Sequence, residues 1–148
     1  MHSLNLPPAD LKIKEQNAKT LVFDRLRKQY VRLTPEEWVR QHFIHYLIEQ
    51  KKYPEGLLAN EVSIVLGNVN RRCDTVLYDL QLRPRMIIEY KAPAVTMTQA
   101  IFDQALRYNM CLNVNYLILS NGLQHFCCRI NGNEYSFLKE IPEYGEIE

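Results

Sequence analysis

The sequence of 148 residues lacks any apolar run near the roughly 18 residues needed to span a bilayer. Its first ten residues also lack the charged start and apolar stretch of a secretory signal, so we expect a cytoplasmic protein without a membrane span. The four cysteines include no C-x-x-C pair, which favours reduced, mostly buried thiols over a zinc site or a disulfide framework. No G-x-x-x-x-G-K-[ST] phosphate loop occurs, which excludes a nucleotide-driven motor of that kind within these residues.

Charge is nearly balanced, with a formal net charge of +1, but it is unevenly distributed. Residues 1–52 carry ten Lys or Arg and six Asp or Glu, whereas residues 139–148 carry one Lys and four Glu. The basic front permits contact with nucleic acid phosphates, although dedicated nucleic-acid domains are usually far more basic. We therefore expect any DNA binding to be weak and salt-sensitive.

The composition, 47% hydrophobic and 24% charged, indicates a folded globular protein, and the length fits one domain. We predict an N-terminal arm over residues 1–29, partly helical near residues 18–28, then a domain over residues 30–138 and an acidic tail over residues 139–148. Thr34, Pro35 and Glu37 have the pattern of a helix start, with Thr as N-cap, so a helix is predicted to about residue 51. Its apolar residues recur at helical spacing: Val39, Phe43, Tyr46 and Leu47.

Short segments rich in Val, Ile, Leu and Tyr follow, and they predict three strands over residues 57–66, 73–80 and 85–90. A second helix is predicted over residues 98–112, with an apolar face of Ile101, Ala105, Tyr108 and Leu112. Further strands are predicted over residues 116–120, 123–130 and 134–138, the first two joined by a hairpin at Asn121-Gly122. This order indicates an α/β fold in which a mixed sheet has helices on both faces.

Three charged side chains are predicted to meet on the central strands. Glu89 and Lys91 lie two residues apart on one strand and so point to the same face. A turn centred near Leu82 places Asp74, on the preceding strand, opposite residues 89–91. Two carboxylates at one point suit Mg²⁺, for which Mn²⁺ can substitute, and the backbone carbonyl of Tyr90 is a further candidate ligand.

Such a metal ion would stabilise charge on a phosphate oxygen and lower the pKa of a bound water, which is the nucleophile of phosphodiester hydrolysis. Lys91 would hold that water and offset the charge of the transition state.

The spacing Asp-x14-Glu-x-Lys, formed by Asp74, Glu89 and Lys91, is typical of the PD-(D/E)XK nuclease superfamily. With the phrases around Arg71-Arg72-Cys73, Ala92-Pro93 and Gln104-x-x-x-Tyr108, the sequence resembles the N-terminal nuclease domain of type I restriction enzyme R subunits over roughly residues 30–130. The resemblance implies a restriction-endonuclease-like mixed sheet flanked by helices, with an αβββαβ core. It also implies that Gln104 and Tyr108 help to position the metal site and DNA.

The chain departs from the family pattern at Cys73, where proline is usual, and at Tyr90, which occupies the variable position. Neither change removes a ligand side chain. R subunits continue into a helicase motor, whereas this sequence contains no phosphate loop and so cannot translocate DNA by itself.

Several residues allow two interpretations. Glu37 either caps its helix or joins Asp74 and Glu89 at the metal, and Glu61 points either toward that site or to water. Glu89 and Lys91 would, without catalysis, form a simple ion pair, and Tyr108 falls on the predicted apolar face and so can equally belong to the core. Three arginines either contact DNA phosphates or are solvated: Arg71, Arg72 and Arg107.

The function expected from these features is magnesium-dependent endonucleolytic cleavage of DNA phosphodiester bonds, in a restriction or defence system. Partners would be DNA, helicase or methyltransferase subunits, and a second copy of the chain, since a single site cuts one strand. The alternative is a non-catalytic nucleic-acid-binding or assembly module with the same fold. RNA is a further candidate substrate.

Overall fold

The computed structural model describes residues 3–147, and the remaining residues of the predicted arm and tail, 1, 2 and 148, lie outside it. A six-stranded mixed sheet and a smaller three-stranded sheet are formed. The strands are β1 (Ile13–Gln16), β2 (Lys19–Asp24), β3 (Gln29–Arg32), β4 (Leu58–Leu66), β5 (Val69–Tyr78), β6 (Pro84–Tyr90), β7 (Tyr116–Ser120), β8 (His125–Asn131) and β9 (Glu134–Leu138). The α-helices are α1 (Pro35–Glu49) and α2 (Gln99–Met110), and 3₁₀ turns occur at Glu55–Leu57 and Tyr144–Glu146.

The helix predicted near residues 18–28 is wrong, because this segment forms β2 and the turn that follows it. Strands β1, β2 and β3 make an antiparallel sheet in that order. Asn17 and Ala18, with φ of +52° and +61°, close the first hairpin, which a helix would not permit. At the end of β2 the Asp24 carboxylate accepts hydrogen bonds from the backbone N–H groups of Leu26 and Arg27, which stabilises a turn instead of a helix.

Helix α1 begins where the sequence predicts and ends two residues early. The Thr34 hydroxyl accepts a hydrogen bond of 3.0 Å from the Glu37 N–H, and Pro35 occupies the first turn. Three members of the predicted stripe are fully buried, Val39, Phe43 and Leu47. They pack on one face of the large sheet with apolar side chains of the central strands, among them Met86, Ile88, Tyr116 and Ile118.

The large sheet has the strand order β4-β5-β6-β7-β8-β9. Neighbouring strands are antiparallel except β6 and β7, which are parallel and are joined through α2. A parallel pair needs such a crossover, since a tight turn cannot connect it. Helix α2 covers the face opposite α1, where alternate residues of the same strands are buried, including Ile87, Leu117 and Leu119. The predicted mixed sheet with helices on both faces is therefore confirmed.

The predicted apolar face of α2 is only partly right. The buried residues are Phe102, Ala105, Leu106 and Asn109, whereas Tyr108 is 40% exposed. The helix is turned so that Phe102 and Leu106 fill the space above the sheet. This rotation moves Tyr108 away from the core and toward solvent.

All four cysteines are free thiols, three of them buried and Cys111 exposed. Near the C-terminus, Ile141 is buried, and the Tyr53 hydroxyl donates a hydrogen bond of 3.0 Å to the Pro142 carbonyl. Within residues 3–147, neither helix has the length and apolar character required to cross a membrane.

Candidate active site

Asp74, Glu89 and Lys91 come together as the strand register predicts. Thr75 pairs with Ile88 in the antiparallel ladder between β5 and β6, so the preceding residue, Asp74, lies opposite Glu89. The Asp74 carboxylate accepts a hydrogen bond of 3.0 Å from the Tyr90 N–H. All three charged side chains line one open cavity of about 700 Å³. Their chemical roles stay predictions.

Glu61, on β4, faces the same cavity. It lies between the ladder pairs Asn60–Thr75 and Val62–Cys73, at the level of Asp74. Its φ of +55° is in the left-handed region, which non-glycine residues adopt infrequently and usually at functional or irregular positions. The Glu61 carboxylate contacts two arginines, Arg40 at 3.0 Å and Arg72 at 3.2 Å.

Arg40, which the sequence did not single out, connects the carboxylates around the cavity. The guanidinium is buried, with 7% of the residue exposed, and donates two hydrogen bonds of 2.9 and 2.7 Å to the Glu37 carboxylate. It also donates to the Asp74 backbone carbonyl at 2.9 Å. The spacing of Glu37 and Arg40, one helical turn apart, was the signal in the sequence that could have identified this pair.

The structure assigns different contacts to the backbone and to the side chain of Glu37. Its N–H completes the Thr34 cap, while its buried carboxylate pairs with Arg40 and Arg27 and accepts a 2.9 Å hydrogen bond from Gln41. Both Glu37 and Glu61 therefore have arginine counter-ions in place. Among residues 3–147, no group of three or more His, Cys, Asp or Glu side chains is arranged to hold a metal ion.

The oxygen donors that remain for a metal ion are the Asp74 and Glu89 carboxylates. Neither forms an ion pair within residues 3–147, in contrast to Glu37 and Glu61. Mg²⁺ is commonly held by one or two carboxylates and keeps several water ligands, so this donor pair fits it. The Tyr90 carbonyl stays a predicted third ligand.

Asn109 of α2 is a second residue that the sequence did not single out. Its side-chain amide is fully buried and donates 2.8 Å to the Glu89 carboxylate and 2.9 Å to the Ala105 carbonyl. A polar residue directly after Tyr108, on the helix predicted to cover the site, was the available signal. Asn109 holds the Glu89 carboxylate against the helix.

Gln104 and Tyr108 line the cavity from the exposed side of α2. The core alternative for Tyr108 is therefore wrong. The Arg71 guanidinium lies over the Tyr108 ring at 4.8 Å from its centre and donates to the Tyr108 carbonyl at 3.2 Å. Arg72 lines the cavity, whereas Arg107 is exposed outside its lining.

Comparison with known proteins identifies the relatives of this chain. Residues 35–142 match the family model described as "Type I restriction enzyme R protein N terminus (HSDR_N)". The chain belongs to this family. No curated protein matches the sequence. The fragment structure of an HsdR subunit of a type I restriction enzyme from Vibrio vulnificus YJ016 superposes with a TM-score of 0.57 at 17% identity, over 78% of this chain and 24% of that one.

A cryo-EM structure of a DrdV–DNA complex matches with a TM-score of 0.46 and 21% identity, over 69% of this chain and 10% of that chain. The Vibrio likeness shows a shared fold of the restriction-endonuclease type. Our HSDR_N chain spans about a quarter of the length of that relative.

The environment of this HSDR_N site disfavours charge on both carboxylates. Burial raises the pKa of Asp74, and the Tyr90 N–H and the charge of Arg40 oppose that shift without cancelling it. Burial also raises the pKa of Glu89, where the Asn109 hydrogen bond opposes the shift and the charge of Asp74 adds to it. A divalent cation would relieve the cost of both charges.

We expect Asp74→Asn to stabilise the metal-free protein at neutral pH. A carboxyl whose folded pKa is raised binds its proton more tightly when folded, so its ionisation lowers stability above that pKa. Asparagine keeps an oxygen for the Tyr90 N–H without the charge. The gain in free energy of unfolding should shrink as the pH falls below the raised pKa of Asp74. Urea unfolding with chelator present measures this gain. A gain that does not change between pH 7 and pH 4 would contradict this.

Asp24→Asn is the matched control and should destabilise the folded protein. Burial by itself would raise the pKa of Asp24, but hydrogen bonds from Asn60 and Arg27 lower it overall. Its stabilising contribution is therefore present above its ordinary pKa and is lost as the pH falls through the lowered one. The expected cost at neutral pH is roughly 1.5–3 kcal/mol, as for hydrogen bonds to a charged group.

Proposed function

We propose that this HSDR_N domain hydrolyses phosphodiester bonds of DNA with the help of a divalent metal ion, as the nuclease part of a restriction or defence system. The observation that carries the proposal is the juxtaposition of Asp74 and Glu89, two half-buried carboxylates that form no direct ion pair within residues 3–147, beside Lys91 in one cavity. A purely structural site would be expected to neutralise such a pair, as Arg40 neutralises Glu37.

The Asp74 and Glu89 carboxylates would hold Mg²⁺ or Mn²⁺, with the Tyr90 carbonyl as the proposed third protein ligand. When bound, the ion supplies Lewis-acid stabilisation of the negative charge that develops on the phosphate. The Asp74 carboxylate is oriented by the Tyr90 N–H at 3.0 Å, and the Glu89 carboxylate by Asn109 at 2.8 Å. These hydrogen bonds fix the ligands before metal arrives, which lowers the cost of organising the site.

Lys91 would orient the attacking water and offset charge on a non-bridging phosphate oxygen. Its backbone N–H donates 2.8 Å to the Ser120 carbonyl of the neighbouring strand, so its Cα position is fixed by the sheet. Gln104 and Tyr108 lie across the cavity and would position the DNA backbone. The reaction forms one bond from phosphorus to the water oxygen and breaks the bond from phosphorus to a sugar oxygen.

Target choice and movement along DNA are proposed to come from other parts of a restriction system. The chain spans 24% of the Vibrio HsdR fragment. Helicase or methyltransferase subunits are the partners that we propose. Cutting both strands of a duplex would require a second copy of the chain or a second encounter.

The test is cleavage of supercoiled plasmid and of labelled single-stranded DNA by the purified chain, with Mg²⁺, Mn²⁺ or chelator. We expect nicking that needs the metal and is lost in Asp74→Ala. Lys139→Ala, which changes an exposed lysine outside the cavity lining, is the control and should cut normally. A folded wild-type chain that binds DNA but cuts none of these substrates with either metal would replace the nuclease proposal with a binding or assembly module.

A further inference from the structure

The three-stranded sheet β1-β2-β3 has an inner and an outer face of different chemistry. Alternation and cross-strand register place Val22 and Asp24 on the inner face, where both are buried. The outer face consists of the residues that alternate with these along each strand, and they pair with one another across the strands. Its members are Lys12, Lys14, Gln16, Lys19, Leu21, Phe23, Tyr30 and Arg32.

The outer face carries cations that are not neutralised. Its four cationic residues, Lys12, Lys14, Lys19 and Arg32, are exposed, and none forms an ion pair with a carboxylate of residues 3–147. The cations next to the sheet's inner side behave differently, because Arg25 pairs with Glu49 and Glu55, and Arg27 pairs with Asp24 and Glu37. Positive charge left unpaired on one face favours an anionic ligand.

Aromatic rings alternate with these cations. The Lys12 ammonium lies 5.5 Å from the centre of the Phe23 ring, and the Lys14 ammonium lies 4.1 Å from that of Tyr30. The two rings meet edge to face at 5.3 Å, and Tyr30 is 37% exposed. Exposed lysines are flexible and can leave a ring for a phosphate, which would free the ring face for a base.

The outer face reaches the cavity of the candidate active site at Arg32, which belongs to both. Arg27 and Val31, on the inner side of the same sheet, also line the cavity, so the sheet forms part of its wall. The sheet is fixed there by two hydrogen bonds, a buried one from Asn60 of β4 to Asp24 at 2.9 Å and a partly buried one from Arg27 to Glu37 at 2.9 Å. The sheet precedes residue 35, where the match to the family model begins.

We infer that the outer face of the β1-β2-β3 sheet binds a single strand of nucleic acid and leads it into the active-site cavity. Lysine and arginine would contact the phosphates, and unpaired bases would stack on Tyr30 and Phe23. Stacking on exposed rings requires bases that are not paired within a duplex, which distinguishes this ligand from double-stranded DNA. The inference deepens the proposed nuclease function by naming the form of its substrate.

The test measures binding of a fluorescein-labelled 20-nucleotide single strand to the full chain by fluorescence anisotropy. Chelator is present, so this assay does not depend on a working metal site. The variant Lys12→Gln/Lys14→Gln should weaken binding and reduce the slope of log affinity against log salt by about 1.4, because two phosphate contacts are lost. The control is Lys51→Gln/Lys139→Gln, which removes the same charge around a different cavity and includes another lysine above a tyrosine ring. It should change neither quantity.

Stacking is tested by Tyr30→Thr, which keeps a strand-forming residue and removes the ring. We expect affinity to fall by roughly 5- to 150-fold, and Tyr30→Phe to retain it. Unfolding curves establish that each variant is folded. The inference is overturned by equal losses in the two lysine pairs, by unchanged binding in Tyr30→Thr, or by an equal effect of the variants on a 20-base-pair duplex. Unchanged binding in every variant would also overturn it.

These results separate the two proposals. If the Lys12/Lys14 variant loses single-strand binding and the wild type cuts no DNA, the inference stands and the nuclease proposal fails. If the wild type cuts DNA with metal and the variant both binds and cuts normally, the nuclease proposal stands and the inference fails.

Discussion

Lys91→Ala should slow metal-dependent phosphodiester cleavage by roughly 10²- to 10³-fold, the loss seen when one preorganised charge or donor at the transition state is removed. Burial raises the pKa of both Asp74 and Glu89, and the side chain of Lys91 lies close enough for its charge to oppose that shift. Its backbone is held by Ser120, so truncation of the side chain leaves the sheet intact. The measurement is single-turnover cleavage of a labelled strand with saturating Mn²⁺.

Metal binding distinguishes the role of Lys91 from that of a ligand. Titration calorimetry with Mn²⁺ should show binding retained in Lys91→Ala and lost in Asp74→Ala. Lys91→Arg should recover part of the rate, because the charge returns with a different shape. Lys139→Ala, which removes an exposed lysine outside the cavity lining, should cut at the wild-type rate. Normal cleavage by Lys91→Ala would remove this residue from the proposed mechanism.

The three charged residues of the site were predictable because their meeting depends on short-range rules. Alternation along one strand puts Glu89 and Lys91 on one face, and the short connection over residues 79–83 brings Asp74 opposite Glu89, with a register shift at Leu77/Tyr78. These rules need no knowledge of the rest of the molecule. The parallel pairing of β6 with β7 also follows from the intervening helix α2.

Arg40 and Asn109 were not predicted, because their contacts depend on how each helix is rotated about its axis. Arg40 reaches Asp74, 34 residues away, and Asn109 reaches Glu89, 20 residues away. The apolar pattern of α2 pointed to Tyr108 as a core residue, but the face that packs carries Phe102 and Leu106, which have no polar group. A buried Tyr108 hydroxyl would need a hydrogen-bond partner, a requirement that apolar periodicity does not measure.

The small sheet was missed for a different reason. The stretch that forms β1 and β2 is rich in polar residues, and only two inner positions, Val22 and Asp24, are buried. One of these is a carboxylate, so the usual alternation of apolar and polar residues is absent. Asp24 is buried because Asn60, which also accepts 2.7 Å from Thr75, supplies a hydrogen bond from β4. The sequence alone does not show that long-range partner.

Arg40→Ala should lower the free energy of unfolding by about 3–5 kcal/mol, the usual result of removing one partner from a buried ion pair. Glu37 is 5% exposed, and burial would raise the pKa of its carboxyl, but the hydrogen bonds and charge of Arg40 hold that pKa below its ordinary value. Without Arg40 the buried charge of Glu37 loses its main counter-ion, and the Asp74 carbonyl loses a donor. Urea unfolding at pH 7 measures the loss.

Arg72→Ala is the matched control, because Arg72 pairs with the same Glu61 carboxylate that Arg40 contacts. Its side chain is 61% exposed, against 8% for Arg40, so its removal should cost about 1 kcal/mol or less. The double variant Glu37→Gln/Arg40→Met removes both charges together and should lose less stability than the sum of the single variants. Equal losses of unfolding free energy in Arg40→Ala and Arg72→Ala would mean that burial of the Arg40 guanidinium does not determine how much it stabilises the fold. A larger cost for Arg40 assigns it the role of holding α1 against the strand that carries Asp74.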